Sequence, residues 1–306
     1  MSPRLTGWCV LVALACFVVS CRGNDRGTSD SARALPPVYP VSPAANTNWN
    51  PDAGPVMIRS ARGGGDTVAV VLPDATDSTI ESLQNIVPPV AGFRFDLFSR
   101  GGKSASSVGV SPISQTDTTR ECYSWPLARL QSSRADWQVG FVSGRVQPVQ
   151  LDSIEGLPGA DSVALAVSLA QTAASLPVAS DPTFRGLPFR VRSAYRFRLD
   201  SIDVVVADVV RSVNEEANPR VEHLLIVGEK PHGAVGKFNV GYYSRTAGAE
   251  ESAQATEVLT VVRIGDAKRP AIVVNIEYDD GGKLGLVERT GPGEWKATWR
   301  SAYTDC

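Results

Sequence analysis

The stretch "FRVRSAYRFRLDSIDVVVADVVRS", residues 189–212, decides the fold. Each half is an apolar or alternating run of about ten residues, which is the pattern of a β-strand. Asp200 and Ser201 lie between the runs and suit a two-residue hairpin turn. The apolar cross-strand pairs that this turn predicts are Leu199/Ile202, Phe197/Val204, Tyr195/Val206 and Val191/Val210. We therefore expect an antiparallel hairpin with one face in the core.

The other face of this hairpin is basic. Its arginines, together with one just upstream, are Arg185, Arg190, Arg192, Arg196 and Arg198. The same register places Arg198 opposite Asp203 as an ion pair and lays the alkyl stems of Arg192 and Arg196 over neighbouring valines. A solvated strand face explains the stripe without a ligand. The alternative is a surface for an anionic envelope polymer or a protein partner, since same-face residues about 6.5–7 Å apart suit a row of phosphates or carboxylates.

Further β-type runs continue to the end of the chain, joined by short polar turns. They lie near 187–199, 202–212, 221–228, 236–244, 256–264, 271–278, 284–290 and 294–302. Upstream, "GADSVALAVSLAQTAASLP" is the one helical pattern, and it predicts a helix near 161–175 capped by Asp161 or Ser162. The fold class predicted is mainly β, an antiparallel meander forming a barrel or a sandwich, with that one helix.

The amino terminus has the features of a secretory signal over residues 1–20. Arg4 is followed by an apolar run too short to span a bilayer comfortably, and the run ends in "VVSC" at residues 18–21. This ending resembles the lipobox of bacterial lipoproteins. The resemblance implies cleavage before Cys21 and acylation of that cysteine, for example with palmitate. Cys16 and an ordinary signal peptide are the alternatives.

Residues 21–65 are predicted to be the lipidated cysteine and a flexible tether. They are rich in Ser, Asn, Asp, Gly and Pro and have no apolar period, so they cannot bury enough surface to form a core. Part of the tether, around Trp49, is expected to pack along the domain. A single globular domain is predicted over 66–306, with a possible subdivision near 180.

The implied location is the bacterial cell envelope, with the membrane reached through the lipid anchor. Arg22 stands where inner-membrane lipoproteins of the family carry aspartate, which favours the outer membrane. The formal net charge of −2 becomes −3 once Arg4 leaves with the signal. Such a charge argues against nucleic acid as a partner, because nucleic-acid binding rewards a basic surface.

Two cysteines remain in the mature chain besides Cys21. An oxidising compartment favours a disulfide between Cys122 and Cys306. They and the two histidines have no zinc-ligand spacing, so no metal is predicted.

No catalytic residue or cofactor is predicted. His223 shares a strand face with Val221, Leu225 and Val227, which is typical of a core or edge histidine. His232 lies in the turn "KPHG". The chain lacks a G-x-S-x-G nucleophile motif and a complete phosphate-binding loop.

The last forty or so residues resemble the closing hairpins of secreted bacterial proteins related to FG-GAP repeats. The matching positions are Trp295, Trp299 and Cys306. The resemblance implies an all-β fold. The acidic loop of that family is replaced here by "GDAKRP" at residues 265–270, which has one carboxylate and two cations, so calcium binding is not expected.

Taken together, these features predict an envelope-anchored lipoprotein that binds or scaffolds and is not an enzyme. Two alternatives stay open. One is a hydrolase whose site is assembled from dispersed residues, and the other is a structural component of the envelope.

Overall fold

A computed structural model describes residues 48–60, 66–83, 90–113, 125–133, 136–177, 181–214, 218–278 and 281–305. These residues belong to one compact unit. The positions Cys21, Cys122 and Cys306 lie outside the described residues, so lipidation and the disulfide stay predictions. Among the residues described, no helix is long and apolar enough to cross a membrane.

The first part of the unit is a closed six-stranded barrel. Its strands are β1 Met57–Ser60, β2 Thr67–Val71, β3 Arg94–Ser99, β4 Gly102–Ile113, β5 Leu127–Leu130 and β6 Val139–Val142. They close in the order β1-β2-β5-β4-β3-β6. Side chains such as Ile58, Val70, Phe95 and Leu97 fill the interior. A single-turn helix, α1 Ile80–Leu83, follows β2.

The rest of the chain forms a β-sandwich and a helix. The strands and the helix are β7 Val146–Val149, β8 Asp152–Ser153, α2 Gly159–Ser175, β9 Arg190–Leu199, β10 Ile202–Val213, β11 Arg220–Pro231, β12 Asn239–Ala249, β13 Ala255–Ile264, β14 Arg269–Glu277, β15 Gly281–Gly291, β16 Glu294–Arg300 and β17 Thr304–Asp305. Strands β12-β11-β10-β9-β8 form what we call the helix-side sheet, and β16-β15-β14-β13-β7 form the barrel-side sheet, with β17 paired to β15.

Four layers follow from where the apolar side chains lie. The barrel packs on one face of the barrel-side sheet, through contacts among residues such as Phe141, Leu286 and Trp299. The two sheets bury Phe197 and Trp295 between them. Helix α2 covers part of the outer face of the helix-side sheet. The mainly β prediction is confirmed, and barrel and sandwich occur together.

The predicted helix is confirmed, but its details differ. It begins at Gly159 after Pro158 and has no side-chain cap, so the predicted caps Asp161 and Ser162 are wrong. Leu169 and Ala173 face the sheet and are almost fully buried.

Folded structure also begins before residue 66, the boundary that composition predicts. Strand β1 lies in the segment predicted as tether. It is part of the folded domain, because it pairs with both β2 and β6 and closes the barrel. Trp49 packs edge-on against Trp299, with ring centroids 4.8 Å apart. The apolar residues of this short segment are thus buried in the barrel and in its contact with the barrel-side sheet.

Candidate ligand-binding groove

The β9–β10 hairpin has the predicted register over its first half. Leu199 pairs with Ile202, and the match continues to Ser193 and Asp208. A β-bulge then shifts the register, so Val191 pairs with Val209 and Arg190 with Val210. The predicted pair Val191/Val210 is therefore wrong.

Arg192 is the extra residue at this bulge. Its Nη1 lies 2.9 Å from Oδ2 of Asp208. The carboxyl of Asp208 is almost fully buried. A bulge re-aims one side chain relative to an unbroken ladder, and here it gives the buried carboxylate a cation.

The five arginines of the predicted stripe consequently do not form one row. Arg185 ends a three-residue helical turn and is exposed. Arg190 is exposed and donates to Oγ of Ser212 at 3.4 Å. Only Arg196 and Arg198 remain together, on the outer face near the hairpin turn.

These two arginines line a groove of about 640 Å³ on the outer face of the helix-side sheet. Helix α2 forms one wall through Asp161, Ala164, Leu165 and Ser168. The other walls come from Gln150 between β7 and β8, from Leu157 between β8 and α2, and from Phe238 in the β11–β12 turn. The volume lies within the range of small-molecule sites.

Strand register orders the outer face of the sheet into rows. The apolar row Ala194, Ala207 and Ile226 is buried beneath the helix and does not line the groove; next comes Arg196, Val205 and Gly228; at the hairpin end stands Arg198, Asp203 and Lys230. Neighbouring strands are about 4.8 Å apart, so each row spans roughly 10 Å. The last two rows form the floor of the groove, which is therefore mostly charged.

Gly228 lets Phe238 close one side of this floor. A Cβ at position 228 would lie 2.9 Å from Cβ of Phe238, closer than such atoms approach. Phe238 is half-buried, and Nζ of Lys230 lies 4.8 Å from the centre of its ring. The apolar side wall and a rim cation are therefore in contact.

Arg196 is the distinctive group of the groove. Its Nε is buried and has no hydrogen-bond partner in the described part of the chain. Asp152 is its cross-strand neighbour, but the two side chains make no ion pair in the structure, and the Asp152 carboxylate accepts from Nε2 of Gln150 at 3.2 Å. Burying a cation without an acceptor is costly.

Arg198 and Asp203 form an ion pair at the rim. They lie 3.7 Å apart, which confirms the predicted pair. Asp203 also contacts Nδ1 of His232 at 2.9 Å. The rim carboxylate thus already has partners within the protein.

The other end of the same outer face is closed by a buried ion network. Glu222 accepts from Nε of Arg211 and, at 2.7 Å, from Nη1 of Arg245. The guanidinium of Arg211 stacks 4.6 Å from the ring centre of Phe189. Arg245 donates as well to the Pro177 carbonyl at 3.0 Å. Every charge of this cluster has a partner.

Asp181 extends this closed end. It lies 2.8 Å from Nη2 of Arg220 and accepts a hydrogen bond from the Thr183 amide. Hydrogen bonds from Thr183, with the charge of Arg220, outweigh burial and hold the pKa of Asp181 below its ordinary value.

The inner face of the helix-side sheet carries two further polar groups. Nδ1 of His223 lies 3.2 Å from Oδ2 of Asp208, and Nε2 has no hydrogen-bond partner among the described residues. Glu229 accepts from Arg289 at 2.6 Å and from Trp295 at 2.7 Å across the sandwich. Burial alone would raise the pKa of Glu229. The hydrogen bonds from Arg289 and Trp295, with the charge of Arg289, outweigh burial, so the pKa of Glu229 lies below its ordinary value.

Sequence patterns missed the partners of these groups. Glu222, Glu229 and His223 all lie in "RVEHLLIVGE", where single polar residues interrupt an apolar strand. A polar residue on a core face is a usable signal that a partner exists. Its identity depends on neighbouring strands. Among the described residues, no three His, Cys, Asp or Glu side chains are grouped as metal ligands.

Comparison with protein-family models, with curated proteins and with solved structures finds no match. Function therefore has to be inferred from the geometry of the groove.

Proposed function

We propose that the protein is a lipid-anchored binding module of the bacterial envelope and that the groove beside α2 takes an anionic ligand. One observation carries this proposal: Arg196, whose guanidinium has no acceptor at Nε among the described residues, lines an open groove. A phosphate or carboxylate would supply that acceptor in a charge-assisted hydrogen bond.

Two further cations favour an anion at this place. Arg198 and Lys230 stand in the row next to Arg196, at the rim. Their carboxylate neighbour Asp203 is shared between Arg198 and His232, so it opposes a bound anion less than a free carboxylate would.

The groove is tested by isothermal titration of the whole mature protein in detergent. The probes are inorganic phosphate, polyphosphate, polygalacturonate, octyl phosphate and decanoate. At least one probe should bind the wild type and lose tenfold or more in affinity in Arg196→Gln. Arg190→Gln, which makes the same charge change outside the groove, should bind like the wild type. Equal losses in both variants, or no binding by any probe, would refute the proposal.

The anchor is supported by the lipobox-like "VVSC" and by the polar composition that follows it. Labelling cells with a fatty-acid probe should mark the wild type, and Cys21→Ala should lose both the label and membrane association. Label that persists in Cys21→Ala but disappears in Cys16→Ala would move the anchor to the other cysteine. Cell fractionation then tells whether the protein resides in the outer membrane, as Arg22 favours.

A disulfide between Cys122 and Cys306 belongs to the same proposal, because lipoprotein export delivers the chain to an oxidising compartment. Peptide mapping without reductant should recover the two cysteines in one linked fragment. Two alkylatable thiols in exported protein would be the opposite result.

A hydrolase is the second candidate function, and the His223–Asp208 contact favours it. A histidine oriented through Nδ1 by a carboxylate, with Nε2 unoccupied, is the arrangement of a general base. Turnover of p-nitrophenyl esters that disappears in His223→Gln would support this candidate. A rate equal to that of buffer would leave binding, or a structural role in the envelope, as the function.

A further inference from the structure

We infer that the ligand of the groove is an amphiphile with one anionic head group and a linear apolar chain, such as an alkyl phosphate or a fatty carboxylate. This rests on the proposed function, because it names the class of anion that the groove would take. The apolar walls, the cations that line the groove from the sheet and the acidic groups at the edges support it.

The walls of the groove are apolar where they face Arg196. Leu157, Leu165 and Phe238 line it from three different segments and are all only half-buried. Apolar side chains that converge on a groove gain free energy when a ligand removes them from water. A chain of methylene groups would give them that cover.

The residues that line the groove supply a place for each part of such a ligand. The cations Arg196, Arg198 and Lys230 line it from the sheet. The apolar side chains of Leu157 and Leu165 line it from the segment before α2 and from α2 itself. The anionic head is therefore placed at Arg196, and the chain along Leu157 and Leu165.

The acidic groups of the groove disfavour a polyanion. Asp152 and Asp161 both line it and form no ion pair with a described residue. A polymer with repeated charges would bring further anions toward these carboxylates, whereas a single head group at Arg196 avoids most of that repulsion. The groove therefore suits an amphiphile better than the anionic polymer that the arginine stripe suggested.

The size of the groove is consistent with one short amphiphile. About 640 Å³ is roughly twenty times the ~30 Å³ occupied by one water molecule in the liquid. A head group and a chain of eight to ten carbons fit within that space.

The test compares octyl phosphate with methyl phosphate, and decanoate with acetate, below the concentration at which micelles form. The long-chain probe of at least one pair should bind the wild type tenfold or more tightly than its short partner. Leu165→Gln should remove most of that advantage and leave the short probe unaffected. Val163→Gln is the matched control, since Val163 is an exposed apolar residue of the same helix that does not line the groove.

Circular dichroism and the melting temperature establish that both helix variants fold, and Leu165→Ala serves if Leu165→Gln does not. Asp152→Asn should tighten binding of each anionic probe that binds the wild type. If methyl phosphate, acetate or a polyanion binds as tightly as the long-chain probes and still depends on Arg196, the amphiphile inference fails and the proposed function stands. If no probe depends on Arg196, the proposed function fails.

Discussion

The two ends of the outer face of the helix-side sheet contain the same kind of residue in opposite situations. At the closed end, Arg211 and Arg245 share the carboxylate of Glu222 beneath Phe189. At the open end, Arg196 has a buried nitrogen without an acceptor. The closed end is therefore complete within the protein, whereas Arg196 at the open end forms no ion pair with a described residue.

The cause of this difference lies in what covers each end. At the closed end Pro177 contributes a carbonyl and Phe189 an aromatic ring to the network. Helix α2 is anchored through Leu169 and Ala173, and its first half has many exposed residues, including Val163 and Val167. A groove is left beside this first half.

The largest effect is expected at the closed end. Glu222→Ala should lower the free energy of unfolding by about 3–5 kcal/mol, because it leaves two buried arginines without their carboxylate. Denaturant unfolding measures the loss. Glu257→Ala is the control, since Glu257 pairs with Arg100 but is about one-third exposed, and it should cost at most about 1 kcal/mol. If the two substitutions cost the same, the ion network at the closed end stabilises the fold no more than an exposed ion pair does.

An intermediate effect is expected on the floor of the open end. Gly228→Ala should cost about 1–3 kcal/mol, because the new Cβ would push Phe238 away from the sheet. Gly156→Ala, where a Cβ meets open space, should change stability by less than about 1 kcal/mol. If Gly228→Ala unfolds like the wild type in denaturant, Phe238 does not pack on the floor.

A smaller, pH-dependent effect is expected from Asp181 at the closed end. Its folded pKa lies below the ordinary 3.8, so it contributes stability above that value and loses it as the pH falls through the folded pKa. Asp181→Asn should be less stable than the wild type by about 0.5–1 kcal/mol near neutral pH. Melting curves should show this difference shrinking below pH 4. A difference that does not change with pH would mean that the Arg220 contact contributes little.

The smallest effect is expected from Arg196 itself. Arg196→Gln should change the free energy of unfolding by less than about 0.5 kcal/mol or raise it, because no ion pair is lost and less charge is buried. Arg198→Gln should cost about 0–1 kcal/mol, as exposed ion pairs do. If Arg196→Gln lowers the free energy of unfolding by about 2 kcal/mol, and the loss disappears when Asp152→Asn is also present, then Asp152 is the partner of Arg196 in solution. The open end would then be paired like the closed end.

Local sequence pattern was sufficient for the strands of the meander and for the hairpin register from Leu199 to Ser193. The predicted register failed beyond Asp208. The bulge there gives the buried carboxylate of Asp208 a cation, and such a contact is not visible in the alternation of apolar and polar residues. The local pattern also placed the helix correctly, but it could not tell which face packs on the sheet, because apolar residues such as the exposed Val163 and the buried Leu169 lie on different sides of α2. The groove was beyond prediction, because it joins α2, β8, β9 and the β11–β12 turn, which only the tertiary fold brings together.

Trp299 adds a consequence for how the chain matures. Its indole N–H donates to the carbonyl of Pro73, 226 residues earlier, at 2.9 Å. The outer apolar side of the barrel, including Met57 and Phe141, is therefore covered only after β16, which lies far downstream in the chain, has been made or exported. Until then the early half presents an uncovered apolar surface, the kind that chaperones hold and proteases recognise. A chain truncated before Trp299 would keep this apolar surface exposed and would therefore be a substrate for proteases.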